Sequence, residues 1–164
     1  MMTSADAKAL ARIQHAGQVD EAGEPFIEHL DRVVAVAEIR ARHARQAGLS
    51  TDVDAIVQAA WLHDVVEDTP TTAEDLRAAG FAEPVIEMVQ LLTPSDDGRT
   101  CAERVAALIA SGNLGAILIK LSDDEDNADP YRAQPEEAER LERRYAASMV
   151  RLRKAAAALG YTGP

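Results

Sequence analysis

Cysteine and aromatic residues are scarce in this sequence. Cys101 is the only cysteine, which excludes an intramolecular disulfide and a metal cluster built on several cysteines. Phe, Trp and Tyr together make up 4% of the residues, whereas hydrophobic residues make up 47%. The core must therefore be built mainly from Ala, Val, Leu and Ile. This composition favours helices, and a chain of 164 residues can bury a substantial core in one domain.

Basic residues are too few to balance the acidic ones. The chain has 17 Lys and Arg against 28 Asp and Glu, and its formal net charge is −11. Nucleic acid and anionic membranes repel such a chain, so we expect neither as a partner. The N-terminus lacks the apolar core of a signal peptide, and no apolar run is long enough to span a membrane. We predict a cytoplasmic protein, monomeric or oligomeric, that binds a small molecule.

Helical patterns cover most of the chain, and no segment is a convincing strand. GAILIKLS is compatible with a buried strand or a buried helix, and we predict a helix because no partner strand is evident. In the last helix, Tyr145 falls among the apolar positions. We predict one all-α domain over residues 1–164, with its core at about 10–131 and a C-terminal helix at about 136–159. The predicted helices cover approximately residues 4–19, 25–48, 52–64, 71–80, 84–92, 102–110, 115–122 and 136–159.

Ser4 is the predicted N-cap of the first helix, and Thr71 with Glu74 fits a capping box for the fourth.

The stretch WLHDVVEDT at positions 61–69 places a histidine among several carboxylates. If the stretch is helical, Asp64 and Asp68 are one turn apart and share a face. Neighbouring carboxylates repel one another, so the stretch is either a solvated acidic surface or a site for a cation.

Two residues elsewhere could complete a metal site with this stretch. His29 lies in the second predicted helix, and Asp123 follows the apolar ILIKLS segment. With His63 and Asp64 they offer two imidazoles and two carboxylates, a set that suits Mn, Fe, Zn, Ni or Co. Glu67 and Asp68 would then orient a water or move its proton. From spacing alone, a core histidine at position 29 and solvated acidic runs remain an equally good interpretation.

The order of these residues resembles the HD-domain superfamily of metal-dependent phosphohydrolases, which are all-helical. The blocks HAGQVDEAGEPFIEHLDRVVAVA, WLHDVVEDTPTTAEDL and ILIKLSDDEDN resemble more closely the hydrolase domain of the RelA/SpoT enzymes and the small alarmone hydrolases. The resemblance covers roughly Leu10 to Tyr131. It implies a compact helical bundle and the hydrolysis of the 3′-pyrophosphate of guanosine tetra- and pentaphosphate.

The resemblance also implies a role for each matching residue. It makes His29, His63, Asp64 and Asp123 ligands of one divalent ion, most often manganese, with Fe, Co, Ni, Zn or Mg as alternatives. It assigns the attacking water to Glu67 and Asp68. It also implies that Asn127 contacts the nucleotide sugar and that Lys120, which precedes the ligand aspartate as in the family, lies at the substrate site.

Two departures from the family pattern bear on the substrate. Asp20 and Glu21 stand where the family usually carries an Arg-Lys pair, and the arginine of that pair packs on guanine. The acidic residues 124–126 stand where the family usually has a basic residue and an aromatic or histidine. We therefore expect an acidic rim that opposes a substrate as highly charged as an alarmone.

We predict a metal-dependent phosphohydrolase that acts on a nucleotide-like phosphate ester or pyrophosphate. A (p)ppGpp 3′-pyrophosphohydrolase is the first alternative, and it would need Arg12, Arg32 or Arg132 to contact the base. A nucleoside monophosphatase is a second alternative, because its substrate carries less charge. A noncatalytic domain that binds metal and nucleotide is a third.

Overall fold

The computed structural model describes residues 1–129 and 135–164, and these residues form an all-α fold. No β-strand occurs among them, although Val19 and Pro25 form one isolated bridge. The predicted fold class is therefore confirmed. Tyr131 and Arg132, named above for the resemblance and for the base contact, lie outside the described residues. The helices are α1 (Ser4–Gln14), α2 (Phe26–Gln46), α3 (Val53–Leu62), α4 (Val65–Asp68), α5 (Ala73–Ala79), α6 (Glu83–Leu92), α7 (Cys101–Ala110), α8 (Leu114–Asn127) and α9 (Pro135–Ala158).

Helices α3 and α8 form the centre of the fold. Every residue of α3 from Ala55 to Leu62 is buried, and α3 packs against α1, α2, α6 and α8. The ambiguous GAILIKLS segment is the first part of α8, as predicted, and α8 also packs against α2 and α9. Because α2, α3 and α8 contact one another, polar side chains on them can meet inside the molecule.

Several predicted helix starts and ends are wrong by a few residues. Thr3, not Ser4, caps α1, because Asp6 stands three residues after Thr3 and completes a capping box. Helix α1 ends at Gln14 rather than near Val19. Thr72, not Thr71, caps α5 in a capping box with Asp75. The amide of Thr71 instead donates to the hydroxyl of Thr69, at 3.2 Å.

The acidic end of the ILIKLSDDEDN segment also differs from the prediction, which ended this helix at about residue 122. Helix α8 continues through Asp123 to Asn127 and ends there. Within the described part of the chain, none of the helices combines the length and the apolar character needed to cross a membrane.

Candidate metal centre

Four side chains from three separate places in the chain meet at one point. His29 lies in the first turn of α2, His63 follows α3, Asp64 precedes α4, and Asp123 lies in α8. Each offers one nitrogen or oxygen, and these four atoms lie within 4.8 Å of one another. We call His29, His63, Asp64 and Asp123 the four-donor cluster. Its members are the residues that the sequence analysis predicted as ligands.

The short distance between the cluster's members depends on a break in the helix after Leu62. The stretch 61–69 is not one continuous helix, because α3 ends at Leu62 and α4 begins at Val65. The interpretation of the whole stretch as one helix is therefore wrong, although Asp64 and Asp68 are still one turn apart, because the amide of Asp68 donates to the carbonyl oxygen of Asp64 at 2.9 Å. His63 and Asp64 occupy the junction instead, where both side chains reach the cluster.

His63 has the hydrogen bonding expected of a metal ligand. Its Nδ1 donates to the carbonyl oxygen of Ala60 at 2.7 Å. Its Nε2 is buried and lies 3.1 Å from Asp64 Oδ2, yet no partner is aligned with it for a hydrogen bond. A buried nitrogen without a partner is costly, and a cation between it and the carboxylates would satisfy it. The donor set thus fits a divalent ion.

The charges within the four-donor cluster support one another. Burial favours a neutral Asp123, but its contacts with His29 and His63 outweigh burial and hold the Asp123 pKa well below its ordinary value. Burial also favours the neutral form of His63 and so lowers its pKa, but the nearby Asp64 and Asp123 carboxylates raise that pKa well above the ordinary value. Asp123 is therefore ionised and ready to bind a cation, and the imidazoles would give up protons to do so.

Glu67 and Asp68 lie just outside the cluster, on α4. Both side chains are exposed, and partial burial together with the Asp64 charge raises the pKa of each carboxyl. The segment after α1 contacts this helix, because Gln18 Nε2 donates to the carbonyl oxygen of Asp68 at 3.1 Å. The two carboxylates combine access to solvent with an enhanced affinity for protons.

The predicted acidic rim at residues 124–126 is wrong, because Asp124 is buried and cations lie beside all three carboxylates. Asp124 is buried and accepts a hydrogen bond from Ser148 at 2.6 Å, while Lys120 lies 3.2 Å from its other oxygen. Glu125 pairs with Arg40 at 2.6 Å and with Arg153 at 2.5 Å. Asp126 contacts Arg32 and the His29 ring. Apart from Lys120, these partners come from α2 and α9, which is why local sequence did not reveal them.

Lys120 and Asn127, the predicted substrate contacts, both touch Asp123 of the four-donor cluster. Lys120 Nζ lies 3.3 Å from Asp123 Oδ2, and Asn127 Nδ2 donates to Asp123 Oδ1 at 3.3 Å. Burial lowers the pKa of Lys120, but the Asp123 and Asp124 carboxylates more than reverse this and keep it protonated. The structure places both residues at the cluster, and their contact with substrate stays a prediction.

The candidates for the base contact occupy different surroundings. Arg12 is exposed near the end of α1, whereas Arg32 is half-exposed and paired with Asp126. Asp20 lies in the loop before α2, where its Oδ1 accepts hydrogen bonds from the amides of Ala22 and Glu24 at 2.9 and 3.0 Å. Asp20 therefore shapes the loop, in addition to contributing charge.

Two residues near the cluster were missed as functional candidates. Tyr145 of α9 was read as an apolar position, but it lies half-buried near the charges of Lys120 and Asp123. His15 is buried, its Nδ1 lies 2.8 Å from Gln18 Oε1, and its ring centre lies 4.8 Å from that of Phe26. In the sequence, a polar phenol among the apolar positions of the last helix could have indicated Tyr145. The motif HAGQ, which begins at position 15, could have indicated His15.

Comparison with known proteins gives one consistent result. The family model of the HD domain matches residues 7–158. The chain is 38% identical over 126 residues to a Haemophilus influenzae guanosine-3′,5′-bis(diphosphate) 3′-pyrophosphohydrolase. The aligned region covers 72% of this chain but only 17% of that protein. It is 37% identical over 121 residues to the zebrafish (Danio rerio) pyrophosphohydrolase MESH1, covering 71% of this chain and 62% of MESH1.

A solved structure extends the similarity to nearly the whole fold. It is the structure of a metazoan ortholog of SpoT that hydrolyses ppGpp. The superposition has a TM-score of 0.68 at 27% sequence identity and covers 95% of this chain and 88% of the other. The resemblance to RelA/SpoT-type hydrolases, predicted from three motif blocks, is confirmed.

Proposed function

Since this chain belongs to the HD-domain family, we propose that it is a phosphohydrolase that holds one divalent ion at the four-donor cluster. One observation carries the proposal: four donor atoms lie within 4.8 Å of one another, and among them the buried Nε2 of His63 lacks a hydrogen-bond partner. When bound, a divalent ion polarises a phosphoryl oxygen and makes a coordinated water more acidic. Manganese is the proposed ion. Fe, Co, Ni and Zn, which bind nitrogen and oxygen ligands, and Mg, which prefers oxygen ligands, are the alternatives.

The protein's own residues divide the remaining work. Glu67 and Asp68 orient the attacking water and accept its proton, a role that suits exposed carboxylates with raised pKa values. Lys120 holds Asp123 and supplies a positive charge near the transferred phosphoryl group. Asn127 contacts Asp123 from the following turn, and in this proposal it also contacts a sugar hydroxyl of the substrate. Residues 1–164 act as one domain in this proposal.

The proposed substrate is a nucleotide-like phosphate ester or pyrophosphate. The names of the relatives make (p)ppGpp the first specific alternative, and the pairing of Asp124, Glu125 and Asp126 with cations removes part of the charge that opposed it. Asp20 and Glu21 still add negative charge to the loop before α2. A nucleoside monophosphate would be repelled less, since it carries fewer charges than an alarmone.

A substrate panel on the manganese-loaded protein tests this function. It would contain nucleoside monophosphates, a nucleoside 3′-phosphate, nucleoside diphosphates and guanosine tetraphosphate, with phosphate and pyrophosphate release measured separately. We expect turnover of at least one member, and its loss in Asp64→Ala, which removes one donor of the cluster. Manganese binding without turnover of any member would favour the noncatalytic alternative. Absence of binding to any of the proposed ions would overturn the metal site itself.

A further inference from the structure

The two histidines of the four-donor cluster have different partners at Nδ1. His63 donates to an uncharged backbone carbonyl, that of Ala60, at 2.7 Å. His29 Nδ1 instead lies 2.6 Å from Asp126 Oδ2, on a side chain of α8 that is 97 positions away in the sequence. Arg32 approaches the same carboxylate with two nitrogens, Nε at 2.8 Å from Oδ1 and Nη2 at 3.3 Å from Oδ2.

We propose that Asp126 is a positioning residue for His29. It orients the ring toward the ion and makes the Nε2 atom a stronger metal ligand, while Arg32 fixes the Asp126 carboxylate. The inference rests on the proposed function insofar as the cluster must bind a divalent ion. An ionised carboxylate can only accept hydrogen bonds, so the Nδ1 proton of His29 is committed to Asp126. The Nε2 atom then faces the cluster, where it lies 3.0 Å from Asp123 Oδ1.

Burial makes this contact stronger than a similar contact at the surface. The side chains of His29 and Asp126 are 3% and 10% exposed. A charge-assisted hydrogen bond that is shielded from water holds its geometry firmly, and a carboxylate behind an imidazole increases the basicity of the other ring nitrogen. Arg32 is 39% exposed, so it can balance the charge of Asp126 and still reach solvent.

A simpler role for Asp126 would be to join α2 to α8 through its ion pair with Arg32. The two roles differ in what each variant should do to the metal. If the ion pair alone matters, Arg32→Met and Asp126→Ala remove the same contact and should have equal effects. If Asp126 positions His29, Asp126→Ala should weaken metal binding far more than Arg32→Met at a similar loss of thermal stability.

The experiment measures the dissociation constant of Co²⁺ by chelator competition, together with the visible spectrum of bound Co²⁺ and the melting temperature. Asp126→Ala should raise the dissociation constant about 10- to 100-fold, the usual effect of losing such a support. Asp126→Asn should be affected less, because its carbonyl oxygen can still accept from His29. Glu125→Gln is the matched control, since it removes a charge from the neighbouring residue, which pairs with Arg40 and Arg153 rather than with His29.

Each outcome decides between the alternatives. The proposal holds if Asp126→Ala, or Asp126→Asn where the alanine variant does not fold, loses Co²⁺ affinity and alters its spectrum while Glu125→Gln matches the unmodified protein. It is overturned if the folded Asp126 variants bind Co²⁺ like the unmodified protein, or if Arg32→Met weakens binding as much as Asp126→Ala. Failure of the unmodified protein to bind Co²⁺ and the other proposed ions would overturn the proposed function as well.

Discussion

Glu67 and Asp68 differ from the cluster in exposure and should therefore differ in the effect of mutation. We expect Glu67→Gln and Asp68→Asn each to lower kcat about 100-fold or more, since positioned acid–base groups contribute on that scale. Both variants should keep metal affinity, because neither side chain belongs to the four-donor cluster. His63→Ala should lose metal and turnover together. Steady-state kinetics and metal titration on the same preparations would check this.

A neutral control makes that comparison specific. Glu87→Gln removes one carboxylate from α6, a helix that carries none of the site residues, and should leave kcat unchanged. Equal metal loss in the Glu67, Asp68 and His63 variants would show that the two carboxylates are ligands or supports rather than acid–base groups.

Metal affinity should fall as the pH falls from neutral to mildly acidic values. The pKa values of both histidines are raised in the metal-free protein, because carboxylates overcome the effect of burial: Asp123 and Asp126 act on His29, and Asp64 and Asp123 act on His63. Below those pKa values a cation must displace protons from both rings, so binding weakens as protons become more abundant. Asp123 adds little to this dependence, since its lowered pKa keeps it ionised to lower pH. Calorimetry in two buffers of different ionisation enthalpy would count the released protons; no release at neutral pH would contradict the expectation.

The resemblance to the HD-type blocks, rather than spacing alone, selected the four residues of the cluster, and it did not identify the residues that support them. His63 and Asp64 are adjacent, and the HD-type blocks located His29 and Asp123 without knowledge of the fold. The hydrogen bond to Ala60 depends on how α3 ends, and that of His29 depends on a residue 97 positions away. Such contacts follow from tertiary packing, which a local pattern does not encode.

At the scale of helices, the N-terminal part of α8 depends on the absence of a side chain at Gly115. A Cβ built there would lie 2.7 Å from Met88 Sδ and 2.9 Å from Ile56 Cγ1. Alanine would improve helix propensity by about 1 kcal/mol. Overpacking costs about 1–3 kcal/mol. We therefore expect Gly115→Ala to lower the free energy of unfolding measured in urea, although alanine has the higher helix propensity.

A double mutant separates the packing cost from other effects of Gly115→Ala. In a Met88→Ala background the closest neighbour is shortened, so the same substitution should cost less than it does in the unmodified protein. An equal cost in both backgrounds would show that the Met88 side chain moves aside freely and that close packing does not select glycine here.

Helix identity was more predictable than helix ends. GAILIKLS was assigned to a helix because no partner strand was evident, and α8 includes it. The third helix was predicted to end near residue 64 and ends at Leu62, but the short helix α4 that follows it was not predicted. The extension of α8 to Asn127 depends on cations such as Arg40 and Arg153, which reach its acidic residues from α2 and α9.

At the scale of the molecule, a net charge of −11 should oppose the approach of a polyanionic substrate. Exposed charges act over about 30 Å at 0.01 M salt and about 8 Å at physiological ionic strength. We therefore expect KM for guanosine tetraphosphate, if it is turned over, to fall as salt rises from low to physiological values. The change should be smaller for a nucleoside monophosphate. A KM that rises with salt would mean that local cations, rather than the whole field, dominate the encounter.

Charge reversal at Glu21 should show how much of this repulsion arises beside the site. Glu21 is exposed in the loop before α2, whereas changing Asp20 would also remove its hydrogen bonds to the amides of Ala22 and Glu24. Glu21→Lys should lower KM for the more highly charged substrate and flatten its salt dependence, with kcat unchanged, because it alters binding rather than chemistry. Glu87→Lys makes the same change in net charge on α6 and is the control. Equal effects of the two reversals would assign the repulsion to net charge, and an effect of Glu21→Lys alone would assign it to the loop.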